Sequence, residues 1–157
     1  MEPFRAHAYQ RPPGDPAPLP YLHSDSDVHR GGIDITLEAW LTTERMRAQG
    51  MAAFLVSRGS FTEMYWTISQ LVAHHTVNGC NLRPGDLLAS GTVSGRTKES
   101  RGCLLERTWR GTEPLALPSG ESRAFLQDGD EVTLRGYCER AGFARIGFGA
   151  CTGRIVG

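Results

Sequence analysis

Lysine is almost missing from this chain. Lys98 stands alone among seventeen basic residues, which leaves one amine, in a polar loop, for any Schiff-base chemistry. Net charge is missing as well: seventeen acidic residues cancel the seventeen basic ones. No electrostatic field therefore marks a nucleic-acid or membrane partner. No apolar run approaches the ~20 residues that span a bilayer. The opening residues, MEPFRAHAYQ, lack the basic-then-apolar order of a secretory leader, and the cytoplasm is the expected compartment. Cys80, Cys103, Cys138 and Cys151 form no C-x-x-C pair, so spacing gives no zinc site. In a reducing compartment they are expected to be free thiols.

The 157 residues suit one domain, and 39% apolar against 22% charged residues suits a globular one. Six of the nine prolines fall within residues 1–32. That stretch cannot be regular helix. PAPLPYL reads as an extended connector and HSDSDVHRGG as a loop, so residues 1–32 are expected to continue something upstream. Residues 33–157 are expected to form the folded body.

IDITLEAWL alternates apolar and polar residues as a half-buried strand does. MAAFLVSR reads as its partner, through a turn near Gln49–Gly50. A helix is expected over 61–77. Ser60 and Glu63 have the spacing of a capping box, and Phe61, Tyr65, Ile68 and Val72 share a face. Asn78–Gly79 suits a left-handed helix end. Beyond it, DLLASGTV, CLLERTW, EPLAL, RAFL, DEVTLRGYC, FARIGFG and CTGRIVG read as strands between glycine-rich turns. The expected fold class is α+β, mostly β, with one main helix in a sandwich, roll or barrel.

Three groups invite a chemical reading. His74–His75 are adjacent, so on a helix they point about 100° apart and cannot easily share one metal. In CLLERTW, strand alternation puts Glu106 on a face with Leu104 and Thr108. There it is either a surface charge or a carboxylate that orients a histidine acting as general base. In ASGTVSG the small residues let a ligand approach the backbone, and Thr92 and Ser94 share a side. The alternative there is a glycine-marked bulge.

Longer strings carry a resemblance. MYWTISQLVAHHTVNGCNLRPGDLLASGTVSG, ESRGCLLERTWRGTEPLAL, FLQDGDEVTLRGYC and RIGFGACTGRIV, with DPAPLPYL before them, resemble the C-terminal part of the fumarylacetoacetase family from Glu2 to Val156. The resemblance implies a mixed β-roll, a small SH3-like barrel ahead of it, and a homodimer. It implies hydrolysis of the carbon–carbon bond of fumarylacetoacetate to fumarate and acetoacetate, in tyrosine and phenylalanine catabolism. A histidine acts as general base, a glutamate orients it, and calcium or magnesium binds the diketo oxygens. Glu106 matches that catalytic glutamate and Thr92 the substrate-binding threonine. His74 and His75 fall to structure. The family's catalytic histidine, its acidic metal ligands and its arginine, glutamine and lysine lie upstream of the matched segment, so no metal ligand is expected here. The segment alone is expected to be inactive. Two other readings stay open: a non-catalytic β-domain binding a small dicarboxylate or a partner chain, and another acylpyruvase-type hydrolase.

Overall fold

A computed structural model describes all of Met1–Gly157. It has eight strands: β1 (Arg5–Ala6), β2 (Gly32–Ile33), β3 (Thr36–Thr42), β4 (Phe54–Ser60), β5 (Leu115–Ala116), β6 (Ser122–Arg123), β7 (Glu131–Cys138) and β8 (Ile146–Arg154). Four short helices join them: α1 (Asp25–Arg30), α2 (Glu44–Ala48), α3 (Ile68–Thr76) and α4 (Leu104–Arg107). The fold is α+β. Its main sheet has the order β4-β3-β7-β8, antiparallel throughout and not closed on itself. No helix is long and apolar enough to cross a membrane.

Period-two alternation gives β3 two different faces. Leu37, Ala39 and Leu41 lie on one. Leu41 is buried there with Leu115 and Leu117, and Phe54, Val56 and Leu104 pack around them. Glu38 and Trp40 lie on the other. The Glu38 carboxylate accepts from Trp40 Nε1 at 2.9 Å, from Arg58 Nη2 at 2.6 Å and from the Tyr137 hydroxyl at 3.3 Å. Burial pushes this carboxyl up, but those hydrogen bonds and the Arg58 charge outweigh it and leave it below the usual range. A buried carboxylate needs such donors to stay ionised.

A second buried polar knot ties α2 to the β5–β6 hairpin. Thr43 caps α2 by accepting from Met46 N at 3.1 Å and donates its hydroxyl to Glu121 at 2.6 Å. Ser119 also donates to Glu121, and Arg123 bridges from Glu121 to Asp130. Asp130 is fully buried, and every buried polar side-chain atom has a partner. That is the condition under which burying a charge is tolerated.

Several expected elements differ. The helix of 61–77 is shorter. Ser60 caps only a 3₁₀ turn, Phe61–Glu63, and the backbone is extended at Met64. The capping box belongs to Thr67 and Gln70, which satisfy each other's backbone donors at 3.1 and 3.0 Å. The helix therefore restarts at Ile68. Gly79 does adopt the left-handed conformation, with φ 89°. HSDSDVHRGG is not a loop, because α1 fills it; acidic Asp25 and Asp27 open this helix and His29 and Arg30 end it, complementing its dipole. The β3–β4 connection carries α2 as well as the turn at Gly50. FARIGFG and CTGRIVG merge into the single strand β8.

Two differences concern the motif region. DLLASGTV is not a strand: Gly91 within it is left-handed, with φ 78°, and Leu87 is 96% exposed. CLLERTW is not a strand at all. Leu104–Arg107 is the helical turn α4, followed by left-handed Trp109, Arg110 and Gly111. Thr108, fully buried, enforces this. Its hydroxyl donates to Leu104 O at 2.7 Å and accepts from Gly111 N at 3.1 Å.

Only 16 of the 157 residues are buried. The Leu37 face of the sheet is open: Leu134 and Phe148 are half exposed there, and β8 is exposed along almost its whole length.

Candidate active site

Over that open face lies a cavity of about 570 Å³. Its floor comes from the sheet, including Leu37, Ala39, Gly59 and Gly136, and its rim from Thr92, Val93 and Gly102. Small residues on three neighbouring strands make this hollow, since side chains of ordinary size there would fill it.

Thr92 is at the rim, exposed, and its hydroxyl bonds to nothing within the chain. Two residues on, the Ser94 hydroxyl donates to Glu106 Oε2 at 2.5 Å and accepts from Gly102 N at 3.0 Å. Thr92 and Ser94 both lie against Gly102, Thr92 through its Cγ2 and Ser94 through its hydroxyl. Gly102 has to be glycine. A Cβ there would lie 2.2 Å from Val93 O and 2.8 Å from Thr92 Cγ2. This close approach brings the Thr92 segment against residues 100–102, with Gly95 N donating to Ser100 O at 2.9 Å.

Glu106 projects from α4, exposed, beside the cavity rather than in its lining. The Cys103 thiol is 3.5 Å from its Oε2. Oε1 accepts no hydrogen bond within the chain, so one oxygen is held and the other can take a further donor. Arg101 Nη1 donates to the Glu106 carbonyl at 3.0 Å, and its guanidinium lies 5.5 Å from the Trp109 ring centroid. Sequence reasoning brought Thr92, Ser94 and Glu106 forward but missed Gly102 and Arg101. Their signal was weak: a glycine and an arginine just before a run of helix-forming residues, Leu-Leu-Glu-Arg.

The two histidines diverge. His74 Nδ1 pairs with the Tyr21 hydroxyl at 2.9 Å, and His75 Nε2 is 3.4 Å from Cys80 Sγ. Neither reaches Glu106. Calcium or magnesium would need several oxygen ligands at one point. No three His, Cys, Asp or Glu side chains come together in that way. The residues present do not fit such an ion.

Comparison with known proteins extends beyond this geometry. The family model described as fumarylacetoacetate (FAA) hydrolase C-terminal matches residues 21–156. Over 157 residues the chain is 48% identical to the fumarylacetoacetase of Arabidopsis thaliana, covering 99% of this chain and 34% of that protein. It is 46% identical to the Homo sapiens fumarylacetoacetase, with 99% and 35% covered. The Dictyostelium discoideum fumarylacetoacetase is 40% identical over 158 residues, again with 99% and 35% covered. The chain spans about a third of the length of these relatives.

Proposed function

The chain belongs to the fumarylacetoacetate hydrolase family, and we propose that it forms one wall of an active site that hydrolyses fumarylacetoacetate to fumarate and acetoacetate, a step of tyrosine and phenylalanine catabolism. The carrying observation is the Thr92 hydroxyl at the rim of the open cavity, with the Ser94–Glu106 hydrogen bond beside it. Thr92 offers a free hydroxyl to a substrate carboxylate. Glu106, with Oε2 held by Ser94, offers Oε1 to the N–H of a histidine. When that histidine takes a proton from water, the carboxylate stabilises the imidazolium that forms. The hydroxide attacks a carbonyl carbon, the bond to the acetoacetate carbon breaks, and the departing carbanion takes a proton.

No histidine of this chain meets Glu106. The general base, and the residues for any calcium or magnesium, are proposed to come from the part of the relatives that this chain does not span. Residues 1–32 are proposed to act as the connector to that part and 33–157 as the C-terminal portion of the β-roll domain. Assembly as a homodimer in the cytoplasm is likewise proposed from the family.

The test is turnover of fumarylacetoacetate, followed by loss of its absorbance. The purified chain alone is expected to be inactive. The chain combined with the complementary two-thirds of a relative is expected to be active, and E106Q in that assembly inactive but folded. Turnover by the chain alone would overturn the proposal.

A second reading is a non-catalytic domain that binds a small dicarboxylate or a partner chain. The exposed apolar face along β8 favours it. It predicts that E106Q leaves function unchanged. Turnover of simple acylpyruvates in preference to fumarylacetoacetate would instead indicate a related acylpyruvase-type hydrolase.

A further inference from the structure

A second cavity, of about 380 Å³, lies between the proline-rich segment and α3. It shares no lining residue with the Thr92 cavity. Its size falls within the range of small-molecule pockets. Its walls are mostly apolar and aromatic: Pro16, Pro18 and Leu19 on one side, Tyr65, Trp66 and Leu71 on the other.

One full charge lines it. The Arg11 guanidinium lies 5.0 Å from the Tyr65 ring centroid and 4.3 Å from that of Trp66. The two rings meet edge to face at 5.1 Å. Stacking of this kind fixes a guanidinium in place while leaving its N–H edge open. Arg11 forms no salt bridge, and its one hydrogen bond is a long one, to Pro16 O at 3.4 Å. The nearby Asp15 carboxylate accepts from the Tyr65 hydroxyl at 2.6 Å instead. That hydrogen bond pushes Tyr65 above its usual range.

The other polar groups separate into used and available. Gln70 is used: Nε2 donates to Leu22 O at 3.0 Å and Oε1 accepts from Thr67 N at 3.0 Å. His74 is half available. Its Nδ1 pairs with Tyr21, whose ring stacks on the imidazole at 10° between planes, while Nε2 bonds to nothing within the chain.

We propose that this pocket binds a small aryl carboxylate. The carboxylate pairs with the open edge of Arg11, and the ring lies among Trp66, Tyr21 and the prolines. The charge complementarity selects an anion, and the apolar walls select a body that gains by leaving water. The site is independent of the hydrolase reading.

Phenylacetate is the probe, titrated into the whole chain at low concentration with tryptophan fluorescence as the readout. A saturable change is expected, and W66F should abolish it, since Trp40 and Trp109 lie outside the pocket. R11Q is expected to weaken binding about tenfold or more, or ~1.4 kcal/mol. Phenylacetamide, the neutral isostere, should lose as much on the unaltered chain, and acetate, without the ring, should bind more weakly still. The proposal is overturned if the amide binds as well as the acid, if folded R11Q binds unchanged, or if no saturable signal occurs.

Discussion

Ser94 and Glu106 meet across 2.5 Å, and this contact fastens a segment that belongs to no strand to the helical turn that carries the carboxylate. The bond sets both the position of Thr92, two residues before Ser94, and the orientation of Glu106. In an active assembly, S94A should lower turnover by about tenfold or more, as loss of an orienting partner does. E106Q should lower it further, because an amide can hold a histidine but cannot stabilise its charged form. Steady-state kinetics check this. Equal, small effects from both variants would remove Glu106 from catalysis.

Gly102 sets the depth at which the Thr92 segment lies. G102A places a methyl 2.2 Å from Val93 O, so the backbone has to move. We expect a loss of about 1–3 kcal/mol in denaturant unfolding, and a rise in KM in the active assembly as Thr92 shifts. A fully stable G102A with unchanged KM would show that this segment tolerates displacement.

Hydrogen bonds from Ser119 and Thr43, then the Arg123 partner, hold Glu121 down to about 2 from an ordinary 4.5. Its folded pKa lies below its unfolded one, so ionised Glu121 stabilises the fold fully above about pH 4.5. That contribution is lost as pH falls toward 2. E121Q should therefore be less stable than the unaltered chain at pH 7, and the gap should close between about pH 5 and pH 2. Denaturant midpoints across that range measure it, and a constant gap would contradict the network.

The thiols divide by burial. Cys80 and Cys151 are exposed, Cys103 is partly buried and Cys138 is fully buried. Burial also pushes the Cys138 thiol up, which lowers its reactive thiolate fraction. A chromogenic disulfide reagent should titrate two thiols quickly and Cys138 only after unfolding. Rapid reaction of all four would mean that the sheet opens readily around Cys138.

The open sheet face should drive association. Leu134 and Phe148 are half exposed on neighbouring strands. Exposed apolar area beside an unpaired strand edge promotes self-association. Sedimentation velocity of the chain alone should show concentration-dependent oligomers, and L134S/F148S should reduce them. A clean monomer before substitution would count against this.

The strands with alternating patterns were legible in the sequence. β7 lies within DEVTLRGYC, and β3 starts within IDITLEAWL and ends one residue past it at Thr42, because each has one apolar face to bury. Glu106 was expected on a strand and lies on the helical turn α4 instead. Leu-Leu-Glu-Arg fits both a strand pattern and a helical turn, and the deciding contact, Thr108 with Ala124 O at 3.1 Å, comes from a residue distant in sequence. The α3 start was missed for a similar reason. Ser60/Glu63 and Thr67/Gln70 both have capping spacing, and Thr67 prevails with a further bond to Asp27 at 2.6 Å. Long-range partners of this kind leave no local periodic trace.

The register of β3 has a consequence for the order in which the chain folds. Its one neighbour, β4, follows closely, but its other, β7, is paired from Thr36 with Tyr137 to Thr42 with Glu131. Closing so long a loop costs entropy before any contact repays it. On the ribosome, at about 5–20 residues per second, the β3–β4 hairpin waits roughly 4–16 s for its central partner. During that interval one whole edge of β3 is unsatisfied. Mutations that slow β7's arrival would then act on yield in the cell more than on the stability of the finished protein.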